Sequence, residues 1–385
     1  MTRYFHSGTP KNDAFQWLEN KFTDHRLFSM YGEYQKAVMQ WLRDARDGIE
    51  SVDAYLDRYP AQRHRLEVVD RIRRQHQAEQ RDERDFDTIE VLRAAYPMAT
   101  THPRNVMLDS GAFTVWNAGK RVGIEAVVLA YRNFLDEAGD LFDQIWLVNL
   151  DEIPGKPRKP ADTIAALRKA AEIEDANLII LRDKLARFEC QILPVIHQSL
   201  HEAFDRERLK EVLEQATQSD NLLCVSPDNS RPEKERVAWS RVIGGLADEF
   251  APEVGLHGLA TTGNVMANGY GFYSVDSEAW SRHARYGSLD LYERDESQIA
   301  RYASFHISVE QDSYDTLTGD RIPGRKESFW NLSNDQRLFA ASSCELYPFP
   351  FEMLQWSGRA RALVNMGELG CFMCMEGGRL VAEAA

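Results

Sequence analysis

Gln144-Ile-Trp-Leu-Val-Asn-Leu150 is a short apolar run that stops abruptly on Asp151-Glu152. Runs of this length bounded by polar residues read as strands buried on both faces. The same form recurs as Val106-Met-Leu108, Gln191-Ile-Leu-Pro-Val-Ile196, Leu222-Leu-Cys-Val225, Glu253-Val-Gly-Leu256 and Gly271-Phe-Tyr-Ser-Val275. Leu178-Ile-Ile-Leu181 is a further run, readable either as a strand or as part of a helix reaching Phe188. Between the runs lie amphipathic stretches from Ile124 to Ala138, Pro160 to Ile173, Leu200 to Gln218 and Pro232 to Phe250. Strand alternating with helix predicts a parallel α/β arrangement. About 200 residues of it, with no G-x-G-x-x-G after the first strand, fit a (β/α)8 TIM-type barrel better than an open dinucleotide-binding sheet.

Working outward, the reading divides the chain into three parts: an N-terminal helical segment (1–97), a barrel (98–292) and an irregular C-terminal extension (293–385). Tyr34 to Arg46 carries Val38, Trp41 and Leu42 on one helical face, and residues 71–85 mix arginines with acids. Such mixing predicts a solvated helix face, with a nucleic-acid-facing arm as the alternative. Tyr96-Pro97 closes the segment, because the residue before proline is pushed away from helix.

The 385 residues carry a formal charge of −14, a surface that repels polyanions on average. That speaks against non-specific nucleic-acid binding as the main work but leaves room for a local basic groove. Five cysteines, an odd number, argue against a disulfide framework, and no apolar run suits a membrane helix or a signal peptide. The expected compartment is a reducing cytoplasm, with no membrane partner.

In a barrel the chemistry gathers where strands hand over to loops at the C-terminal face. There the sequence sets Asp109-Ser110-Gly-Ala-Phe113, Asp151-Glu152, His197-Gln198, His257-Gly258 and Asp276-Ser277 after successive apolar runs. Each has an ordinary alternative: Asp109 and Asp276 as helix caps, Asp151-Glu152 as turn chemistry, the histidines as satisfied core residues. A carboxylate directly after a buried run still needs a reason to be there.

Leu108-Asp109-Ser110-Gly-Ala-Phe113 resembles the D-S-G-G-F loop of the tRNA-guanine transglycosylases, and Asn149-Leu-Asp151-Glu152 looks like their F-D-E-C stretch. His257-Gly258-Leu-Ala-Thr-Thr-Gly263 sits where that family has G-V-G, and Phe272-Tyr-Ser-Val-Asp276-Ser277 looks like the strand of its nucleophilic aspartate. Val195-Ile-His197-Gln198 replaces the family's Q-G-G, Ser277-Glu-Ala-Trp280 replaces its P-T-R, and its compact C-x-C-x-x-C signature is absent. These departures bring the chain closer to the 7-deazaguanine DNA-modifying (DpdA-like) branch found in phages and bacterial islands.

The resemblance implies a transferase that replaces guanine in DNA with a 7-deazaguanine base such as preQ0, through a covalent glycosyl-aspartate. Asp276 is then the nucleophile and Asp109 the general acid and base. Asp151, Glu152, His197, Gln198, His257, Gly258, Phe113 and Ser110 bind the base. Lys156, Arg158, Lys159 and Arg282 flank the mouth loops and are candidate cations for the nucleic acid, with ordinary surface charge as the alternative. Cys344, Cys371, Cys374 and His306 are candidate ligands for a structural Zn2+, against reduced cysteines in a small core. The same exchange on tRNA, and a metal-dependent barrel hydrolase built on His197, His257 and Asp276, stand as alternatives.

Overall fold

The computed structural model describes residues 3–7, 25–30, 33–49, 51–64, 66–68, 71, 89, 93, 105–156, 159–160, 163–261, 270–278, 281, 283–284, 288–292, 304–308, 313–314, 321–322, 361–366, 375–376 and 379–380. Nine parallel strands form one sheet: β1 (Arg3–Ser7), β2 (His25–Ser29), β3 (Asn105–Asp109), β4 (Gln144–Val148), β5 (Gln191–Leu193), β6 (Val195–His197), β7 (Leu222–Ser226), β8 (Gly255–Gly258) and β9 (Ser274–Ser277). They lie in the order β5-β4-β3-β2-β1-β9-β8-β7-β6. The two ends of that order are consecutive in the chain and separated by Pro194 alone.

Proline has no N–H to give a ladder, so the strand breaks there. Its halves turn to different neighbours: Val148 registers with Leu193, and Val195 with Cys224. The Pro194 carbonyl still accepts from the Cys224 amide at 3.0 Å. Counted as one broken stave, residues 191–197 make the nine strands into eight staves of a nearly closed, TIM-type barrel.

Helices cover the outside: α1 (Glu33–Arg46), α2 (Val52–Arg58), α3 (Ala112–Asn117), α4 (Ile124–Ala138), α5 (Ile164–Leu185), α6 (Glu202–Ala216) and α7 (Glu233–Phe250). α4 buries Val127, Val128, Tyr131, Phe134, Leu135 and Ala138, the three-and-four spacing of a single helical face. Leu178 to Leu181 belongs to α5, which runs on past Ile173 because Leu178, Leu181 and Leu185 continue the stripe begun by Leu167 and Ala170.

Three apolar cores result. One packs α1, α2, α4 and α5 on the outer faces of β2 to β4; a second packs α6 and α7 on the outer faces of β6 to β9. The third fills the barrel with Phe5, Leu27, Met107, Trp146, Leu193, Leu222 and Cys224, so the interior is packed and not a pore. Side chains alternate across a strand. Val106 and Leu108 therefore join the outer core while Met107 points inward, and Asp109 follows Met107 on the inward side.

The all-helical reading of residues 1–97 is corrected at both ends of its first third. β1 pairs with β9 and β2, and β2 pairs with β3, so the barrel begins at residue 3 and not near 98. Arg3-Tyr-Phe-His-Ser7 and His25-Arg-Leu-Phe-Ser29 do not look like buried strands, because each places a polar side chain on its outer face. His6 and Arg26 are nevertheless almost wholly buried. His6 is tied through Nε2 to the Met366 carbonyl at 2.8 Å, a partner 360 residues away. The expected helix from Tyr34 to Arg46 is present as α1.

Within the C-terminal part, residues 361–366 are helical, and Leu363, Val364 and Met366 reach the two outer cores. Ser288–Tyr292 pairs antiparallel with Ser304–Ser308. Among the described residues no helix is long and apolar enough to cross a membrane.

Tyr131 links this packing to the mouth of the barrel. Its hydroxyl lies 3.1 Å from the Leu108 carbonyl and 2.7 Å from that of Val148, the last turns of the two staves that lead to Asp109 and Asp151. Tyr131→Phe leaves those buried carbonyls without this donor and should cost about 1–2 kcal/mol. Urea unfolding against wild type measures it; a change within error means the hydroxyl holds nothing.

Candidate active site

Period-two alternation sets the site. Asp109, His197, His257 and Asp276 all fall on inward positions at or next to the C-terminal ends of β3, β6, β8 and β9. Asp151 stands three residues beyond β4, in a loop fixed by its helix: Asn149 Nδ2 donates to the Glu174 carbonyl at 2.9 Å, and Asn177 Nδ2 to the Leu150 carbonyl at 3.0 Å. The mouth opens into a cavity of about 980 Å3, at the upper end of the range for ligand pockets. Asp109, Asp151, Asp276, Glu174, His197 and Gln198 line it.

Asp109 feels this crowding most. Burial, then the charges of Asp151 and Asp276, push its pKa up to about 7, with the Gly111 and Ser110 amides offsetting only part. The Gly111 N–H donates to Asp109 Oδ2 at 3.1 Å, and it can do so because Gly111 takes a left-handed φ of 76° to begin α3. The cap of α3 is thus Gly111 and not the Asp109 side chain.

Asp151 is paired. His197 Nε2 lies 2.6 Å from its Oδ2. Burial opposes charging of that ring, but the Asp151 hydrogen bond and the charges of Asp151, Glu174 and Asp205 outweigh it and raise the imidazole's pKa. Behind them Glu174 is raised to about 7 by burial, against the pull of His197 and Arg208. Arg208 is itself gripped by Asp175 at 2.6 Å and Glu211 at 2.8 Å.

Asp276 Oδ1 accepts from the Ala260 amide at 2.8 Å and faces His257 Nε2 at 3.4 Å. No family model matches the chain, and no curated protein matches it either.

Of the other expected contacts, Gln198 lines the cavity and accepts from the Asp228 amide at 3.0 Å. Phe113 is 54% exposed on the cavity wall with its ring 6.1 Å from Trp116. Glu152 is on the wall and paired with Arg121 at 2.7 Å. Ser110, His257 and Gly258 are buried and do not reach the wall. Ser110 Oγ instead accepts from the Ala112 amide at 3.3 Å.

Lys156 and Lys159 face each other in a two-residue hairpin whose side chains are not described, and Arg158 and Arg282 lie outside the described residues. Cys344, Cys371 and Cys374 lie outside them too, as does the His306 side chain. Among the described residues no group of three His, Cys, Asp or Glu is placed to hold a metal.

The sequence reading missed Glu174, Asp205 and Arg208 because charges on amphipathic helices usually face solvent. A signal was there. Glu174 follows Leu167 and Ala170 at three-and-four spacing and precedes Asn177, Leu181 and Leu185, so it sits on the buried stripe of α5. An acid on an apolar stripe needs a partner or a task.

Crowded carboxylates make the site costly to the fold. An Asp whose folded pKa is raised holds its proton where the unfolded chain has already released it. Stability then falls as pH climbs from about 4 to about 7 and stays reduced above that. Asp109→Asn removes this loss and should stabilise the protein by roughly 2–4 kcal/mol at pH 8 and little at pH 4. Melting temperatures across that range test it; a variant less stable at pH 8 than wild type contradicts the electrostatics described.

Proposed function

We propose that the protein is a base-exchange transglycosylase that replaces guanine in DNA with a 7-deazaguanine base such as preQ0. One feature carries the reading: a mouth in which burial and neighbouring carboxylates push the Asp109 pKa up to about 7, while Asp276, on a separate stave, is anchored among the described residues through Oδ1. Cleaving a nucleoside bond needs both an acid for the departing base and an anion beside C1′.

In the proposed cycle an oxygen of Asp276 forms a bond to C1′ as the C1′–N9 bond breaks. The electron pair of that bond leaves with guanine, which takes a proton from Asp109. The incoming base then loses its N9 proton to Asp109 and attacks C1′, and the Asp276 carboxylate departs with the electrons of the ester bond. Atoms and charges balance, and the acid of the first half is the base of the second.

Asp151 accepts from the N1–H and amino group of a guanine edge. His197, its pKa raised by the Asp151 contact, donates toward the base oxygen together with Gln198. Phe113 offers a face for stacking. Among the described residues the cavity is lined by eight carboxylates and two arginines, Arg208 and Arg236. A polyanionic strand therefore keeps its phosphates outside and sends in one everted nucleotide.

Asp276→Asn should abolish exchange while leaving the fold intact. Asp109→Asn should depress turnover at saturating base, whereas Asp151→Ala should chiefly raise the KM for base. Mass analysis of nucleosides from DNA and tRNA of cells supplied with a deazaguanine decides the polymer. Modified tRNA with unmodified DNA moves the substrate to tRNA, and modification of neither overturns the reading.

A further inference from the structure

His257 was expected to touch the base, but its environment describes a different task. The side chain is fully buried on the inward face of β8 and does not reach the cavity. Phe5 packs edge-on against it at 5.6 Å between ring centres. Its Nδ1 lies 2.8 Å from Ser274 Oγ, and its Nε2, which has no hydrogen-bond partner among the described residues, lies 3.4 Å from Asp276 Oδ1. A wholly buried ring nitrogen without a partner is uncommon and calls for a reason. The group nearest to supplying one is the carboxylate proposed to attack.

The surrounding backbone bends toward the same oxygen. Gly258 makes room for the return of the chain, since a Cβ there would meet Thr261 Oγ1 at 2.8 Å. Ala260 accepts a left-handed φ of 49°. In that conformation its amide donates to Asp276 Oδ1 at 2.8 Å, and the Thr261 amide donates to the Asp276 carbonyl at 3.1 Å. Two of these contacts, from His257 and from the Ala260 amide, meet the Asp276 carboxylate, and both choose Oδ1; the Thr261 amide fixes the backbone beneath it.

We infer that His257 is a positioning residue for Asp276, donating Nε2–H to Oδ1 while Ser274 donates its hydroxyl to Nδ1, so that Oδ2 alone is free to bond C1′. This rests on the transglycosylase reading. Ser274 sets the tautomer: a hydroxyl proton given to Nδ1 leaves the ring proton on Nε2. At 3.4 Å the Nε2 contact is long, and contacts of this kind tighten as the reacting complex forms. Oδ1 becomes the carbonyl oxygen of the glycosyl ester and regains charge when the second base displaces the carboxylate. A donor fixed on Oδ1 thus stabilises Asp276 as a leaving group, as an oxyanion donor does elsewhere.

Two measurements test this, one of them independent of any exchange activity. Nitrogen-15 spectra of the imidazoles in the full-length protein should show His257 as the Nε2–H tautomer, and Ser274→Ala should disturb that assignment. An Nδ1–H tautomer in wild type overturns the inference whether or not the protein exchanges bases. In the exchange assay, His257→Gln carries an amide donor near the Nε2 position and His257→Asn near the Nδ1 position. The inference expects His257→Asn to lose about a hundredfold in kcat, His257→Gln to recover most of it, and the KM for base to stay unchanged in both. A raised KM with unchanged kcat returns His257 to the base-binding set. Equal kcat losses in the two variants at wild-type melting temperature reduce it to packing. Should wild type exchange no base, the transglycosylase reading fails and the tautomer result still stands or falls by itself.

Discussion

Like charges converging in one low-dielectric mouth are the constraint on which the rest of this structure depends. Asp109 and Asp276 are turned inward by the parity of their strands, and Asp151 is brought in beside them by a loop that Asn149 and Asn177 tie to α5. They cannot all be cheaply ionised there. Each is settled differently: Asp109 by holding its proton near neutrality, Asp151 by a 2.6 Å contact with His197, Asp276 by a backbone amide on one oxygen. Three chemically equivalent side chains thereby come to stand in three different environments. Under the transglycosylase proposal, such a difference of environment is what would let one site supply both an acid and a nucleophile at a single pH.

The settlement extends outward through helices that lend charged residues to the mouth. Arg208 is only 5% exposed, yet it gathers Asp175, Glu211 and the more distant Glu174. Glu174 in turn holds the Glu152 amide at 3.3 Å, so the loop bearing Asp151 is tied to α5 by side chain as well as by backbone. A buried network of this kind is weak evidence for stability, because the desolvation of its members offsets much of their attraction. Its value here is geometric: it fixes where the Asp151–His197 pair stands relative to the barrel axis.

The sequence was most legible where physical requirements repeat. Staves such as 106–108, 144–148 and 222–225 are buried on both faces and must be apolar, and their covering helices must be amphipathic; both patterns survive in one dimension. Strand ends followed by Asp109, Asp151 and Asp276 were visible for the same reason, since an acid interrupts a pattern that has no room for it. The last two staves were displaced by two or three residues, because Gly255–Gly258 and Ser274–Ser277 contain His257, Ser274 and Asp276 in place of apolar side chains. β1 and β2 escaped altogether. His6 and Arg26 look like surface residues until distant chain covers them.

By itself, then, the sequence determined an alternating α/β chain of barrel type and the acids that stop its strands, because burial and periodicity are local demands that each segment must meet alone. Tertiary structure alone decided that the barrel starts at residue 3, that Pro194 splits one stave between two neighbours, that Glu174 stands behind the Asp151–His197 pair, and that His257 is buried 3.4 Å from Asp276. Each of those is a relation between segments far apart in the chain. Pairing, desolvation and orientation exist only once closure of the barrel has brought such segments within reach.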